Sequence, residues 1–228
     1  MAVFTLRGLA FEVPPFYLRG KIEEALALGR YEHQEADAIS THLCPGDRLL
    51  ELGAGIGYIC TLAARIVGEG AVVGIEASSE ILSLARMNLA LNGFGKVQLI
   101  HAAATGEAEG KVEFVPRQPF WSSALKSTRV WPDDTKSIGV PAIPIAKLLE
   151  MARPTVLCID IEGAEIDILI RPLPGVRLII VEFHPQIYGD GEVDRVVAAL
   201  EAMGFALEMD GSKGSTVVFR RDTPDNAA

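Results

Sequence analysis

The sequence predicts an α/β fold: a doubly wound, mostly parallel sheet of about seven strands, helices on both faces, and a C-terminal antiparallel pair. Three observations carry this expectation. Short apolar runs at 49–52, 71–76, 97–100, 155–160 and 176–181 alternate with amphipathic stretches at helical spacing. The run at 49–52 leads into glycines at every second position, Gly53, Gly55 and Gly57, as a strand, tight turn and helix start require. The last two apolar runs, 205–209 and 216–220, flank Asp210-Gly211 and read as an antiparallel pair.

In chain order, residues 1–20 hold the apolar patches Val3-Phe4 and Phe16-Tyr17, parted by prolines. They read as an extended arm or short strand covering the main sheet. Residues 21–42 are helical, with Ile22, Leu26 and Ile39 at turn spacing and a break at Gly29 near Arg30-Tyr31-Glu32. Pro45-Gly46-Asp47 turns the chain into the first parallel strand. A helix over 59–67 ends at Gly68-Glu69-Gly70, and one over 79–92 stops at Asn92-Gly93.

After the strand at 97–100 come Ala102-Ala103-Ala104, read as a loop, then an extra strand at 111–115. Segment 116–140 carries Trp121 and Trp131 with Ser122, Ser123, Lys126 and Arg129, and is too polar and proline-broken for core alone. It reads either as a lid over a substrate or as a surface hairpin anchored by tryptophans. Helices follow at 143–151, from Gly163, and at 194–203. The expected division is an arm and helical segment over 1–44, one domain over 45–221 with its lid-like insertion at 116–140, and a disordered tail at 222–228.

Composition narrows the function. Hydrophobic residues at 49% and charged residues at 22% describe an ordinary globular chain. A net charge of -9 argues against binding nucleic-acid backbones, which takes Lys and Arg contacts to phosphate. A small acceptor fits better. No run approaches the ~20 apolar residues of a membrane span. Arg7, Glu12 and Pro14-Pro15 interrupt any signal-peptide core, and Cys44, Cys60 and Cys158 lack disulfide or metal spacing, so the expected location is the cytoplasm.

The glycine turn then points to a ligand. A dinucleotide loop spaces its glycines G-x-G-x-x-G around a pyrophosphate, whereas Gly57 comes one place early. Glu51 adds a negative charge that repels phosphate and attracts an ammonium or sulfonium group. S-adenosylmethionine (SAM) carries both cations and no phosphate, so it fits better than a nicotinamide dinucleotide. Glu76, about twenty residues past Gly57, closes the next strand where a carboxylate accepts ribose hydroxyl protons. Small side chains at 102–104 suit a flat adenine.

Glu51, Glu76, Asp160, Glu162, Glu182 and His184 all fall at strand ends, the edge where open α/β sheets bind ligands. Methyl transfer needs an aligned acceptor, and a hydroxyl acceptor must also lose a proton, which His184 or Asp160 could take. Asp160, Glu162, Glu165 and His184 also make a donor set for a hard divalent cation. The assignment adopted from sequence holds no metal.

Several motifs together resemble the FkbM family of class I SAM-dependent methyltransferases. They are Tyr31-Glu32, the loop from Glu51 to Gly57, Val73-Gly74-Ile75-Glu76, Ser122-Ser123-Ala124-Leu125, Asp160-Ile161-Glu162-Gly163-Ala164-Glu165, and Glu182-Phe183-His184. The resemblance implies a Rossmann-like class I methyltransferase fold, SAM as donor, and O-methylation of a hydroxyl on a sugar or secondary metabolite. It implies that Glu51, Gly53, Ala54 and Gly55 serve the methionine part, Glu76 the ribose, and Ala77 with Ala103 the adenine. Glu32 would help close that site.

Asp160, Glu162 and His184 would face the methyl-transfer region, with Trp121, Ser122, Ser123 and Glu182 toward the acceptor. Two departures stand out: Cys158 where the family commonly has Lys, and Ile145-Ala146-Lys147 where it commonly has Asp. The alternatives are a SAM-binding protein without turnover and a nucleotide-dependent oxidoreductase. A homodimer is left open.

Overall fold

The computed structural model describes residues 1–117 and 120–222, apart from the Trp121 side chain. It opens with β1 (Ala2–Leu6) and β2 (Leu9–Val13), then α1 (Lys21–Ala27) and α2 (His33–His42). The next βα units are β3 (Leu49–Leu52), α3 (Tyr58–Val67), β4 (Val72–Glu76), α4 (Ser79–Leu91) and β5 (Gln98–His101). Four short strands follow: β6 (Ala103–Thr105), β7 (Gly110–Val115), β8 (Ala124–Leu125) and β9 (Ile138–Pro144). The chain closes with α5 (Ile145–Ala152), β10 (Val156–Ile159), α6 (Glu165–Leu169), β11 (Leu178–Glu182), α7 (Pro185–Tyr188), α8 (Asp190–Ala202), β12 (Ala206–Lys213) and β13 (Thr216–Arg220).

The central sheet has the order β12-β13-β11-β10-β3-β4-β5. Five strands, β11 to β5, run parallel, while β13 is antiparallel to both β11 and β12. This is the doubly wound seven-stranded arrangement with its antiparallel pair that the sequence predicts. Its central strands β3, β10 and β11 are buried on both faces, which explains why they read as unbroken apolar runs. Alternate residues divide between two cores. Leu49, Val156, Leu178 and Ile180 pack with α2, α3 and α4, while Leu50, Leu157, Ile159 and Ile179 pack with α5, α6 and α8.

Neighbouring strands β3 and β10 lie far apart in sequence. The strand order reverses between them, so their carboxyl ends diverge and leave a crevice for a ligand.

Three local readings change. The N-terminal segment is a two-stranded hairpin of its own, and it docks on α4 rather than covering the sheet. Asn92, the C-cap of α4, pairs with both backbone groups of Ala10 at 2.9 and 2.7 Å, and Asn88 on α4 accepts from Glu12 N at 2.8 Å. Two amide side chains one turn apart thus satisfy a strand edge that would otherwise be open. Ala103–Thr105 is a strand rather than a loop, paired with β9. Segment 116–140 contributes β8 and the start of β9 to a four-stranded sheet ordered β6-β9-β7-β8. Residues 223–228 of the expected tail lie outside the described residues, and no helix among the described residues is long and apolar enough to cross a membrane.

Candidate active site

A cavity of about 710 Å³ opens at the carboxyl ends of β3, β4 and β10. Gly53 and Gly55 form one wall, at φ of 90° and 51°. A Cβ on Gly53 would stand 1.9 Å from the Asp160 carbonyl oxygen, and one on Gly55 3.0 Å from the Tyr31 hydroxyl. Only glycine fits between the crossing strands here. Gly57 serves a different purpose: at φ 85° it starts α3, with Ala85 of α4 only 3.2 Å from where its Cβ would lie. The early third glycine thus permits close helix packing, with no phosphate involved.

Glu76 ends β4 and lines the cavity. Its carboxylate accepts from Gly55 N at 3.1 Å and Ser78 N at 2.8 Å, fixing it against the glycine turn. Burial pushes its pKa up to about 7, against the pull of the backbone N–H groups of Ser78, Gly55 and Ala77. Ala77 and Ala103 line the same cavity, joined by Ile75, Ile81, Phe114, Phe120 and Leu125. This apolar slot is the shape and chemistry a flat base needs.

Glu51 and Ala54 are not among the residues lining the cavity. Glu51 points to the α3 side of the sheet at 3% exposure, opposite Cys158 in register, with Oε2 lacking a hydrogen-bond partner. Burial pushes its pKa up to about 8, partly offset by hydrogen bonds from Cys60. Ala54 is fully buried and its N–H bonds to the Ile75 carbonyl at 3.0 Å.

A second chamber of about 1040 Å³ adjoins the first, sharing Tyr31, Glu32, Asp160 and Glu162 as walls. Glu35, Glu182, His184, Gln186 and Ser215 line its far side, with Lys21, Arg30 and His33 also at its walls. Glu32 has φ 44° and Glu162 φ 52°, both in the left-handed region that a residue with a Cβ adopts at a cost. Backbone strain of this kind, at two carboxylates between two cavities, marks positions that the surrounding structure holds in place.

The expected helix after Asp160 begins later than the sequence suggests. Glu162 and Gly163 both take positive φ, so α6 starts at Glu165. Glu165 is fully buried, accepts from Gly163 N at 2.7 Å, and stands 2.9 Å from His184 Nδ1. It therefore orients His184, a role the sequence did not reveal.

The other imidazole nitrogen, Nε2, faces Asp160 Oδ1 at 3.6 Å and Glu162 Oε1 at 3.7 Å. Burial disfavours the imidazolium, but the hydrogen bond to Glu165 and the charges of Glu165, Glu162 and Glu182 outweigh it and raise the His184 pKa. Asp160 is raised well above the usual carboxylate range by burial and by repulsion from Glu182, Glu35, Glu32 and Glu162. Glu162 is raised by burial, against the pull of His184 and Arg129. Arg129 reaches Glu162 at 3.2 Å and stacks over Trp131, its Cζ 4.9 Å from the ring centroid.

A family model described as a methyltransferase FkbM domain matches residues 51–207. The chain belongs to the FkbM methyltransferase family. That match falls inside the span 45–221 read from the sequence as one domain, and it sets the oxidoreductase alternative aside. SAM is the methyl donor of this family and the cofactor of this FkbM domain.

Among curated relatives, the domain is 42% identical over 57 residues to an arsenite methyltransferase from Halobacterium salinarum, covering 25% of this chain and 15% of that protein. It is 42% identical over 64 residues to a protein-L-isoaspartate O-methyltransferase from Methanoregula boonei, covering 28% of this chain and 29% of that one. These matches span well under two thirds of the relatives' own lengths. Among solved structures, TYW2 from M. jannaschii in complex with AdoMet aligns with a TM-score of 0.49 at 14% identity, covering 96% of this chain and 85% of that one.

The FkbM fold brings most of the sequence-expected residues together. Glu32, Gly53, Gly55, Glu76, Ala77, Ala103, Ser123, Asp160 and Glu162 line the first cavity, and Glu182 and His184 the second. Ser122 is not among the lining residues of either, and the expectation for the Trp121 side chain lies outside the described residues. Sequence reasoning missed Ile75, Ile81, Phe114 and Phe120 as walls. Apolar residues on a strand or turn give no sign in sequence of facing a cavity rather than the core.

Proposed function

We propose that this FkbM domain is a SAM-dependent O-methyltransferase acting on a hydroxyl of a small molecule, in the reducing interior of the cell. The observation that carries the reading is the junction of an apolar, glycine-walled cavity and a polar chamber at Asp160 and Glu162. The residues fit SAM. Glycine backbone lies bare, a fixed carboxylate stands at a strand end, an apolar slot suits the adenine, and Glu32 Oε2 is buried without a partner.

In this reading Gly53 and Gly55 hold the methionine part, Glu76 the ribose, and Ala77 and Ala103 the base, while Glu32 and Tyr31 close over the loop. Glu51 lies outside the cavity lining and, with its pKa raised to about 8, stays mostly uncharged near neutrality. Bound SAM supplies an electrophilic methyl group on its sulfonium. Ser123, Glu182 and the chamber walls bind the acceptor, and Asp160 and His184 orient its hydroxyl. Glu162 takes the proton, and burial makes its carboxylate a stronger base than an exposed one.

The test is incubation with SAM and a panel of hydroxylated and amine acceptors, with S-adenosylhomocysteine measured by mass spectrometry. Release with a hydroxyl acceptor, lost in Glu162→Gln while SAM binding persists, is the expected result. SAM binding with no release from any acceptor favours a binder without turnover. Tight NADH binding with no SAM binding overturns the reading.

A further inference from the structure

We propose that Asp160, Glu182 and His184 form a site for one divalent first-row cation, of manganese type, which holds the acceptor hydroxyl. The inference rests on the hydroxyl-methylation reading and deepens it.

The three donors arrive from the ends of two neighbouring parallel strands: Asp160 just after β10, Glu182 closing β11, and His184 two residues on. One donor atom from each lies within 4.8 Å of the others. Donors held ~2.1 Å from one ion stand at most ~4.2 Å apart, so the widest spacing closes by about half an ångström on binding.

His184 supplies the second, independent observation. It is 5% exposed, yet no hydrogen bond from the described residues reaches Nε2: the oxygens of Asp160 and Glu162 stand 3.6 and 3.7 Å away. Both separations are too long for hydrogen bonds, and the one to Asp160 fits two donors sharing an ion. Its other nitrogen is locked to the fully buried Glu165 at 2.9 Å, which fixes the tautomer that leaves Nε2 free to ligate. A carboxylate behind the imidazole is the usual support for a metal-binding histidine.

Glu182 is supported in the same way, since its Oε1 accepts from Ser215 Oγ at 2.8 Å. Imidazole among the donors disfavours calcium, and two carboxylates disfavour a purely soft site.

The ion's setting matches its task. Three protein ligands leave coordination positions for an incoming oxygen. Asp160 lines both the acceptor chamber and the cofactor cavity, so those positions open where acceptor and methyl donor meet. An acceptor hydroxyl ligated there becomes more acidic, and its proton passes to Glu162, 3.7 Å from Nε2 and outside the ligand set.

The test uses the full chain after chelator dialysis, without SAM. Mn²⁺ uptake is followed by the electron paramagnetic resonance signal of the free ion and by calorimetry. One ion per chain is expected, with nitrogen coupling from His184 in the pulsed spectrum. Asp160→Asn and Glu182→Gln should each weaken uptake at least tenfold, while Glu201→Gln, an exposed α8 carboxylate lining neither chamber, changes it less than twofold.

No uptake at millimolar Mn²⁺, uptake without nitrogen coupling, or equal weakening by Glu201→Gln would overturn the site. The wild-type spectrum decides even if a variant fails to fold. SAM binding, measured separately on the metal-free protein, fails only if the methyltransferase reading itself fails.

Discussion

Replacing Glu51 by Gln should make the protein more stable at alkaline pH. Glu51 is 3% exposed and one of its oxygens has no hydrogen-bond partner. Burial carries its pKa from an ordinary 4.5 to about 8. A carboxyl whose pKa is raised by folding gives its full stability below the unfolded value and loses it as pH rises through the folded value. The window here runs from about 4.5 to about 8.

Between about pH 5.5 and 8.5, wild type therefore loses about 3 kcal/mol relative to a side chain that cannot ionise, at ~1.36 kcal/mol per pH unit. Urea denaturation of both proteins at the two pH values measures the difference. Cys158, opposite Glu51 in register, brings no positive charge to relieve the carboxylate, where the family's common Lys would. Parallel pH profiles for the two proteins would refute the reasoning, because they would mean that water reaches Glu51 and that it titrates normally.

Two further outcomes follow from the cavity walls. With the Glu76 pKa at about 7, an ionised carboxylate accepting ribose hydroxyls makes SAM affinity fall as pH drops below that value, by up to tenfold per unit. Glu76→Gln should flatten this dependence and cost ~1–3 kcal/mol of binding by calorimetry, and an unchanged affinity would remove the ribose assignment. Gly53→Ala drives a Cβ to 1.9 Å from the Asp160 carbonyl at φ 90°. It should cost on the order of 3 kcal/mol, lowering Tm by roughly 2–4 °C per kcal/mol, whereas Gly70→Ala, with nothing within 4 Å of its added methyl, should leave Tm unchanged.

The sheet was legible because a strand buried on both faces has to be apolar along its whole length, as Leu49-Leu50 and Ile179-Ile180 are. The glycine turn was legible because its backbone admits no side chain, and the acids at strand ends because topology sends them all to one edge. Side-chain direction was not. Glu51 and Glu76 look alike in sequence, yet the pleat turns Glu51 toward α3 and leaves Glu76 in the cavity wall. Glu165 was read as a cation donor and not as the group behind His184, because nothing in Glu162-Gly163 announces a positive φ at Glu162, which delays the helix and swings Glu165 under His184. Phe114 and Phe120 were hidden because they belong to the small sheet and the turn beside it, which form through pairings no periodicity reveals.

The central pair β3 and β10 has a consequence for synthesis. A chain leaving the ribosome makes the glycine turn early, but the strand that pairs with β3, and the Asp160 carbonyl that Gly53 packs against, come about a hundred residues later. Until then β3 has a bare apolar edge of the kind that chaperones shield and aggregates recruit. The methyl-donor pocket therefore assembles late in folding, and a nascent chain halted before Val156 has the loop without the floor it rests on.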